Sequence, residues 1–281
     1  MSLKGIAQET LAVIEAGRYT TPDGSVHEFG EAQRAAEAGT RLWTPEGLDE
    51  LLDTTPQREA GRTQTHIEVT KESTQAAAYR LATQPSAKAV GALNFASARN
   101  PGGGFIRGAK AQEEDVARCS GLYPTLLRCP EYYTYNRDRK TLLYSDHMIY
   151  SPRVPFFRIK SRSFCDRLYF ASVITAPAPN AGQVRKHAET DEATIESVFR
   201  RRVGKVLALA ESEGLTHLVL GAWGCGVFAN DPIMVADAFA AWLDHPRFKN
   251  VFAHITFAIY AKKATDPNLV AFQQRSTQTT V

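Results

Sequence analysis

The chain has 281 residues, 43% of them hydrophobic and 22% charged, enough to bury a full core in one enlarged domain or at most two. Its 14 Phe and 10 Tyr argue against disorder, and 33 Lys and Arg against 30 Asp and Glu leave a balance that names no nucleic-acid or membrane partner. Cys119, Cys129, Cys165 and Cys225 form no C-x-x-C pair, which speaks against a zinc module or a disulfide scaffold and for reduced, buried thiols.

At the N-terminus, Leu3, Ile6, Ala7, Leu11 and Ile14 recur at helical spacing and Gly17 follows as a stop. Lys4, Gln8, Glu9 and Glu15 interrupt this stretch too often for a signal peptide, and no later run approaches 18 apolar residues, so a cytoplasmic location is expected. A second short helix should precede Gly39. A third should start at Thr44, with Pro45 in its first turn and Leu48, Leu51 and Leu52 on one face. Residues 1–62 therefore read as a helical extension packed on a core of residues 63–275, and 276–281 as a tail. The closing QQRSTQTTV reads as frayed.

From His66 the pattern changes. HIEVT, AVGALNFA, LYFASVITA, THLVLGAW and VFAHITFAIYA are short runs rich in Val, Ile, Phe and Tyr, the expected strands of a sheet covered on both faces. Ser73 can cap a helix reaching Thr83, and Thr190 a long one ending at Gly214. Asp231-Pro232 and Asp266-Pro267 each pair a cap with a first-turn proline. Strands alternating with helices define an α/β layered fold. Between Ser120 and Phe170, the aromatic and basic segments YYTYNRDRK and SPRVPFFRIKSR support only short helices and a hairpin.

The segment from Asn94 to Gly121 carries the most chemistry. Gly102, Gly103 and Gly104 are costly to order unless the backbone must approach something closely, although a flexible turn would also explain them. Glycine N–H groups can converge on an anion, and a helix beginning near Gln112 would add its positive end. Glu113 and Glu114 follow in that first turn. Complementing the helix dipole would account for them alone, but a phosphate-binding loop beside a carboxylate pair makes sense if one carboxyl is protonated. A bound diphosphate and partial burial would favour the protonated form of Glu114, the condition for a general acid. Neighbours on a helix diverge by about 100°, so the two glutamates have different tasks.

A second glycine-rich loop, Gly221 to Phe228, follows the strand THLVL. Ligands of open α/β sheets gather beyond the carboxyl ends of strands, where both loops would lie if their strands are parallel and adjacent. Phe228 could pack on a sugar or base, or on the core. Cys225 has no histidine positioned to activate it, which disfavours a nucleophile. Arg200, Arg201 and Arg202 read as a solvated charge run. Tyr132, Tyr133 and Tyr135 with Arg137, Arg139 and Lys140 could stack on nucleic acid, against which the balanced charge argues. The seven histidines are scattered without paired-ligand spacing, so no metal site is indicated.

Gly102-Gly103-Gly104, seven residues, then Gln112-Glu113-Glu114 resembles the GGG-x(6-8)-QEE signature of poly(ADP-ribose) glycohydrolases of the short bacterial type, and GAWGCGVF is similar to that family's diphosphate-binding loop. The resemblance implies a macrodomain-like three-layer α/β/α fold with a mixed central sheet. It implies cleavage of the ribose–ribose bond of poly(ADP-ribose), from the chain end, with ADP-ribose as product and ADP-ribosylated proteins as partners. By the same resemblance Glu114 is the catalytic acid/base and Glu113 holds the terminal ribose hydroxyls. Asn100, Gly102, Gly103, Gly104, Gln112, Gly224, Cys225, Gly226, Val227 and Phe228 would bind substrate, with no cofactor, metal or direct DNA contact. A non-catalytic ADP-ribose reader or a mono-ADP-ribosyl hydrolase would share the glycine loops, but a reader would not need the glutamate pair.

Overall fold

The computed structural model describes residues 1–54, 64–85, 89–188 and 190–278. Its elements, in chain order, are α1 (Leu3–Ala16), β1 (Arg18–Thr20), β2 (Val26–Glu28), α2 (Gly30–Gly39), β3 (Arg41–Trp43), α3 (Pro45–Asp53), β4 (His66–Thr70), α4 (Thr74–Ala82) and β5 (Val90–Phe95). After a single 3₁₀ turn at Phe105–Arg107 come α5 (Gln112–Cys119), α6 (Leu122–Leu126), α7 (Pro130–Asp138), β6 (Met148–Lys160), β7 (Ser163–Ala176) and α8 (Ala181–His187). The chain continues through α9 (Glu192–Ser212), β8 (His217–Leu220), α10 (Pro232–Asp244), β9 (His254–Ala258) and α11 (Pro267–Gln278).

Among the described residues seven strands form a mixed sheet in the order β3-β6-β7-β5-β8-β9-β4. β7, β5, β8, β9 and β4 run parallel, β6 is antiparallel to β7, and β3 is antiparallel to β6. Alternation along the strands feeds two cores. Leu218 and Leu220 of β8 join the layer holding α3, α9, α10 and α11, whereas Val219 turns to the layer holding α4 to α7. On the first side Phe239 lies 5.4 Å from Phe257, which lies 5.1 Å from Phe272, so rings from α10, β9 and α11 pack in sequence. Each such side chain contributes roughly 1.5–3 kcal/mol by leaving water. The expected sheet covered on both faces is thus realised.

Local capping chemistry places most helix starts. Ser73, Thr44 and Asp231 accept hydrogen bonds from first-turn N–H groups of α4, α3 and α10. The long helix starts one residue later than expected: Asp191, not Thr190, accepts from Thr194 N at 2.8 Å, because its carboxylate is the stronger acceptor within reach. The closing segment is also more regular than expected. Asp266 caps Asn268, Leu269 and Phe272 bury against the core, and α11 stays helical to Gln278; residues 279–281 lie outside the described residues.

The first sixty residues are not all helical. β1 and β2 make a small hairpin, and β3 extends the main sheet with Arg41 opposite Tyr150. Three residues are too few to display a strand period, yet Leu42 packs on one core and Trp43 on the other, as a strand requires. α1 also docks onto the body: Ala7 and Leu11 pack with Phe105 and Ala117. Arg158 of β6, wholly buried, donates to Thr10 Oγ1 and Glu9 Oε2 of α1, both at 2.7 Å, and to Arg118 O at 2.9 Å.

Two surface readings fail. Tyr132 and Tyr133 are buried on the inner face of α7, so they cannot stack on nucleic acid; only Tyr135 of that trio reaches solvent. Among the three consecutive arginines, Arg202 is 0% exposed and bonded to Asp146, because α9 presents that position to the loop before β6.

Candidate active site

β5 and β8 are parallel neighbours, with Val90 opposite His217, so the loops that follow them meet beyond their carboxyl ends. There they border a cleft of about 730 Å³, lined also by Thr74, Gln75, Tyr144, Ile259 and Tyr260. A volume of that size suits a dinucleotide-like ligand.

Gln112, Glu113 and Glu114 open α5, where Ala111 at the cap position offers no side-chain acceptor. Gln112 anchors the helix to the strand: its Nε2 donates to Leu93 O at 2.8 Å and Thr74 Oγ1 at 3.0 Å, and its Oε1 accepts from Phe95 N at 2.8 Å. Its side-chain polar atoms are thus engaged within the protein while it lines the cleft.

Glu113 and Glu114 are only 2% and 8% exposed, which rules out a solvated dipole-complementing role. Glu113 Oε2 accepts from Ser97 N at 2.7 Å and Oε1 from Asn94 Nδ2 at 3.2 Å. Burial pushes its carboxyl up to about 8, with repulsion from Glu114 adding to it; the hydrogen bonds from Ser97, Asn94 and Gly102 oppose the rise and lose. Glu114 Oε1 accepts from Gly104 N at 2.8 Å, while Glu114 Oε2 is buried with no hydrogen-bond partner.

The glycine triplet serves these carboxylates. Gly102 and Gly103 have φ of +63° and +59°, a region that disfavours any other residue. A Cβ on Gly103 would collide with Glu114 Oε1 and stand 3.1 Å from Glu113 Oε2; one on Gly104 would meet Ala109 Cβ at 2.6 Å. Gly103 N donates to Asn100 O at 3.0 Å and Gly104 N to Glu114. The anions that this loop's backbone holds are the protein's own glutamates, and the triplet lies behind them rather than on the cleft wall, which Asn100, Glu113 and Glu114 form.

The second loop differs. Cys225 N donates to Ala222 O and Ala229 N to Gly226 O, but among the described residues the N–H groups of Gly226, Val227 and Phe228 find no acceptor. Three successive unbonded donors on a cleft wall are an arrangement that can receive an anion. Gly224 takes φ +75°, and a Cβ there would lie 2.5 Å from Asn230 Nδ2. Cys225 packs on the core, its thiol pushed up to about 12 by burial and by Asp231, which leaves it inert as a nucleophile. Val227 is 82% exposed at the rim, and half-buried Phe228 faces Tyr144 with 5.9 Å between ring centroids.

Tyr144 gave no sequence signal. It sits at φ +59°, unusual for a ring-bearing residue, and is held there by Arg202, whose guanidinium donates to Leu143 O, Tyr144 O and Pro177 O. Arg202, Arg201 and Lys205 all bond Asp146, whose carboxyl stays well below the usual range despite burial. Asn94 and Ser97, which hold Glu113, were likewise missed, though both lie in the segment already singled out.

A three-layer α/β/α frame with a shielded carboxylate pair on one cleft wall and open backbone donors on the other suits acid–base chemistry on an anionic ligand. The catalytic-domain profile of microbial-type PARG, the poly(ADP-ribose) glycohydrolases, matches residues 7–159. The crystal structure of the poly(ADP-ribose) glycohydrolase from Thermomonospora curvata superimposes with a TM-score of 0.92 at 44% identity, covering 97% of this chain and 98% of that one. The same protein bound to the inhibitor ADP-HPD gives 0.90 over the same coverage. The Deinococcus radiodurans poly(ADP-ribose) glycohydrolase in complex with ADP-ribose gives 0.81 at 43% identity, over 89% of this chain and 98% of that one. No match was found among curated proteins. The chain belongs to the microbial-type poly(ADP-ribose) glycohydrolase family.

Proposed function

We propose that this protein hydrolyses the ribose–ribose O-glycosidic bond of poly(ADP-ribose), on ADP-ribosylated proteins or as free polymer, working from the chain end and releasing ADP-ribose. Glu114 carries the reading: Oε1 is fixed by Gly104 while Oε2 is buried and unpartnered, the arrangement of a group whose second oxygen is reserved for a reacting atom. Glu114 donates its proton to the departing 2'-oxygen as the bond to the anomeric carbon breaks. A water adds to that carbon, giving its proton back to Glu114. Glu113, fixed by Asn94 and Ser97, accepts hydrogen bonds from the ribose hydroxyls. The diphosphate is received by the N–H groups of Gly226, Val227 and Phe228, and the Phe228 ring packs on the ribose beside Tyr144. Asn100 lines the mouth, and Gly102 to Gly104 act through the glutamates they hold.

The test is release of ADP-ribose from purified poly(ADP-ribose) by the wild type and by Glu114→Gln in parallel, with ADP-ribose affinity measured for both. Wild-type release with a loss of about 10²–10⁴ in the variant and near-unchanged affinity is expected. Longer oligomers as first products would refute end cleavage. Binding without release by the wild type would make the protein a reader of chain ends.

A further inference from the structure

His66, His254 and His217 come from distant segments, yet strand register sets them abreast at the start of three neighbouring parallel strands: His66 of β4 opposite His254 of β9, and His254 opposite His217 of β8. The His66 and His254 rings are 4.6 Å apart between centroids, and His217 lies nearly parallel to His254 at 5.9 Å. Side chains two apart on a strand share a face, so Glu68 follows His66 into the same group. Its Oε1 lies 3.0 Å from His254 Nε2, and one ligand atom each from His66, Glu68 and His254 fall within 4.8 Å of one another.

We propose that His66, Glu68 and His254 bind a divalent first-row transition ion of the zinc class, stapling edge strand β4 to β9 at the end of the sheet opposite the cleft. Two imidazoles and a carboxylate are the ligand set such ions prefer over calcium or magnesium, and solvent completes the coordination. The carboxylate is held in position: Thr256 Oγ1 donates to Glu68 Oε1 at 2.7 Å and Arg80 Nη2 at 2.6 Å. Arg80 does not block the ion, because it also bonds Glu72 at 2.7 Å and keeps that partner when Glu68 turns. His254 is held in place by Glu68 and the His217 ring, whereas His66 is exposed and can draw the ligand atoms, all within 4.8 Å of one another, towards the roughly 3.3 Å spacing of a tetrahedral ion. Among the described residues β4 has only β9 as a sheet neighbour, so a bond across that pair acts where the sheet is held on one side alone.

The experiment uses the full chain, stripped with EDTA and returned to chelator-free buffer. ZnCl₂ is titrated calorimetrically, Co²⁺ absorption is recorded as a geometry probe, and thermal unfolding is followed with and without saturating Zn²⁺. One ion per chain, d–d bands with Co²⁺ and a raised Tm are expected in the wild type, and all three are lost in His66→Ala and Glu68→Gln. ADP-ribose release by His66→Ala stays at the wild-type rate. Absence of Zn²⁺ binding at micromolar concentration, or binding undiminished in both variants, overturns the proposal.

Discussion

The loop after β5 and the loop after β8 each bring three glycines to the carboxyl end of a parallel strand, and their amide hydrogens go to different places. In the first, Gly104 donates to Glu114 and Gly103 to Asn100, so the backbone is occupied before any ligand arrives. In the second, Gly226, Val227 and Phe228 have donors to offer. Glycine content therefore does not by itself mark a phosphate site; what marks one is a run of N–H groups that the fold leaves unbonded. In the proposed mechanism the first loop therefore builds the acid, and the second receives the charge of the substrate.

This division of labour is open to direct attack. The largest effect should come from Gly103→Ala, which adds a Cβ against Glu114 at a positive φ. We expect turnover to fall by at least about tenfold and stability by roughly 1–3 kcal/mol, with ADP-ribose affinity little changed. Single-turnover kinetics beside calorimetry checks this, and a weakened affinity with intact turnover would reverse the roles of the loops. Gly224→Ala is the matching change in the second loop, where the new Cβ crowds Asn230 and Ala178. Its expected signature is the opposite: Kd for ADP-ribose rises about tenfold, equivalent to ~1.4 kcal/mol, and kcat at saturation holds.

A more gradual effect concerns pH. Burial raises the Glu113 carboxyl from its usual 4.5 to about 8 in the folded chain. A carboxyl raised in the native state contributes stability that is complete below 4.5 and is lost as pH rises through 8. Melting temperature should therefore decline across that window, with a slope of at most about 1.4 kcal/mol per pH unit from this group. In Glu113→Gln the decline should flatten; an unchanged slope would mean that other groups carry it.

Much of this was legible in the residues because the signals are local. Thr44-Pro45 and Asp231-Pro232 announce helix starts by chemistry contained within three or four positions. The glutamate pair and the glycine triplet stand ten residues apart and could be read together. What escaped depends on neighbours far along the chain. Arg202 looks like one of three solvated charges until α9 is placed against Asp146, 56 positions earlier. β3 has too few residues to show alternation, and Tyr144 owes its unusual backbone to a guanidinium on another element. The destination of the first loop's N–H groups is not legible in the sequence, which shows donors but not which acceptor reaches them first. The histidines came together only through strand register, which no spacing encodes.

The buried Arg158 bears on how the chain assembles. Its charge is answered by Glu9 and Thr10 of α1, 149 and 148 positions away, and leaving such a charge buried without its partner costs about 3–5 kcal/mol. During synthesis α1 emerges long before β6 exists, so its inner face must wait exposed while β3, β4 and β5 are made. At roughly 5–20 residues per second that wait lasts on the order of ten seconds or more, long compared with helix formation itself. The face of α1 that waits for β6 is also the one that packs Ala7 and Leu11 on Phe105, just beyond the glycine triplet, so the first glycine loop and the partner of Arg158 are joined through one helix.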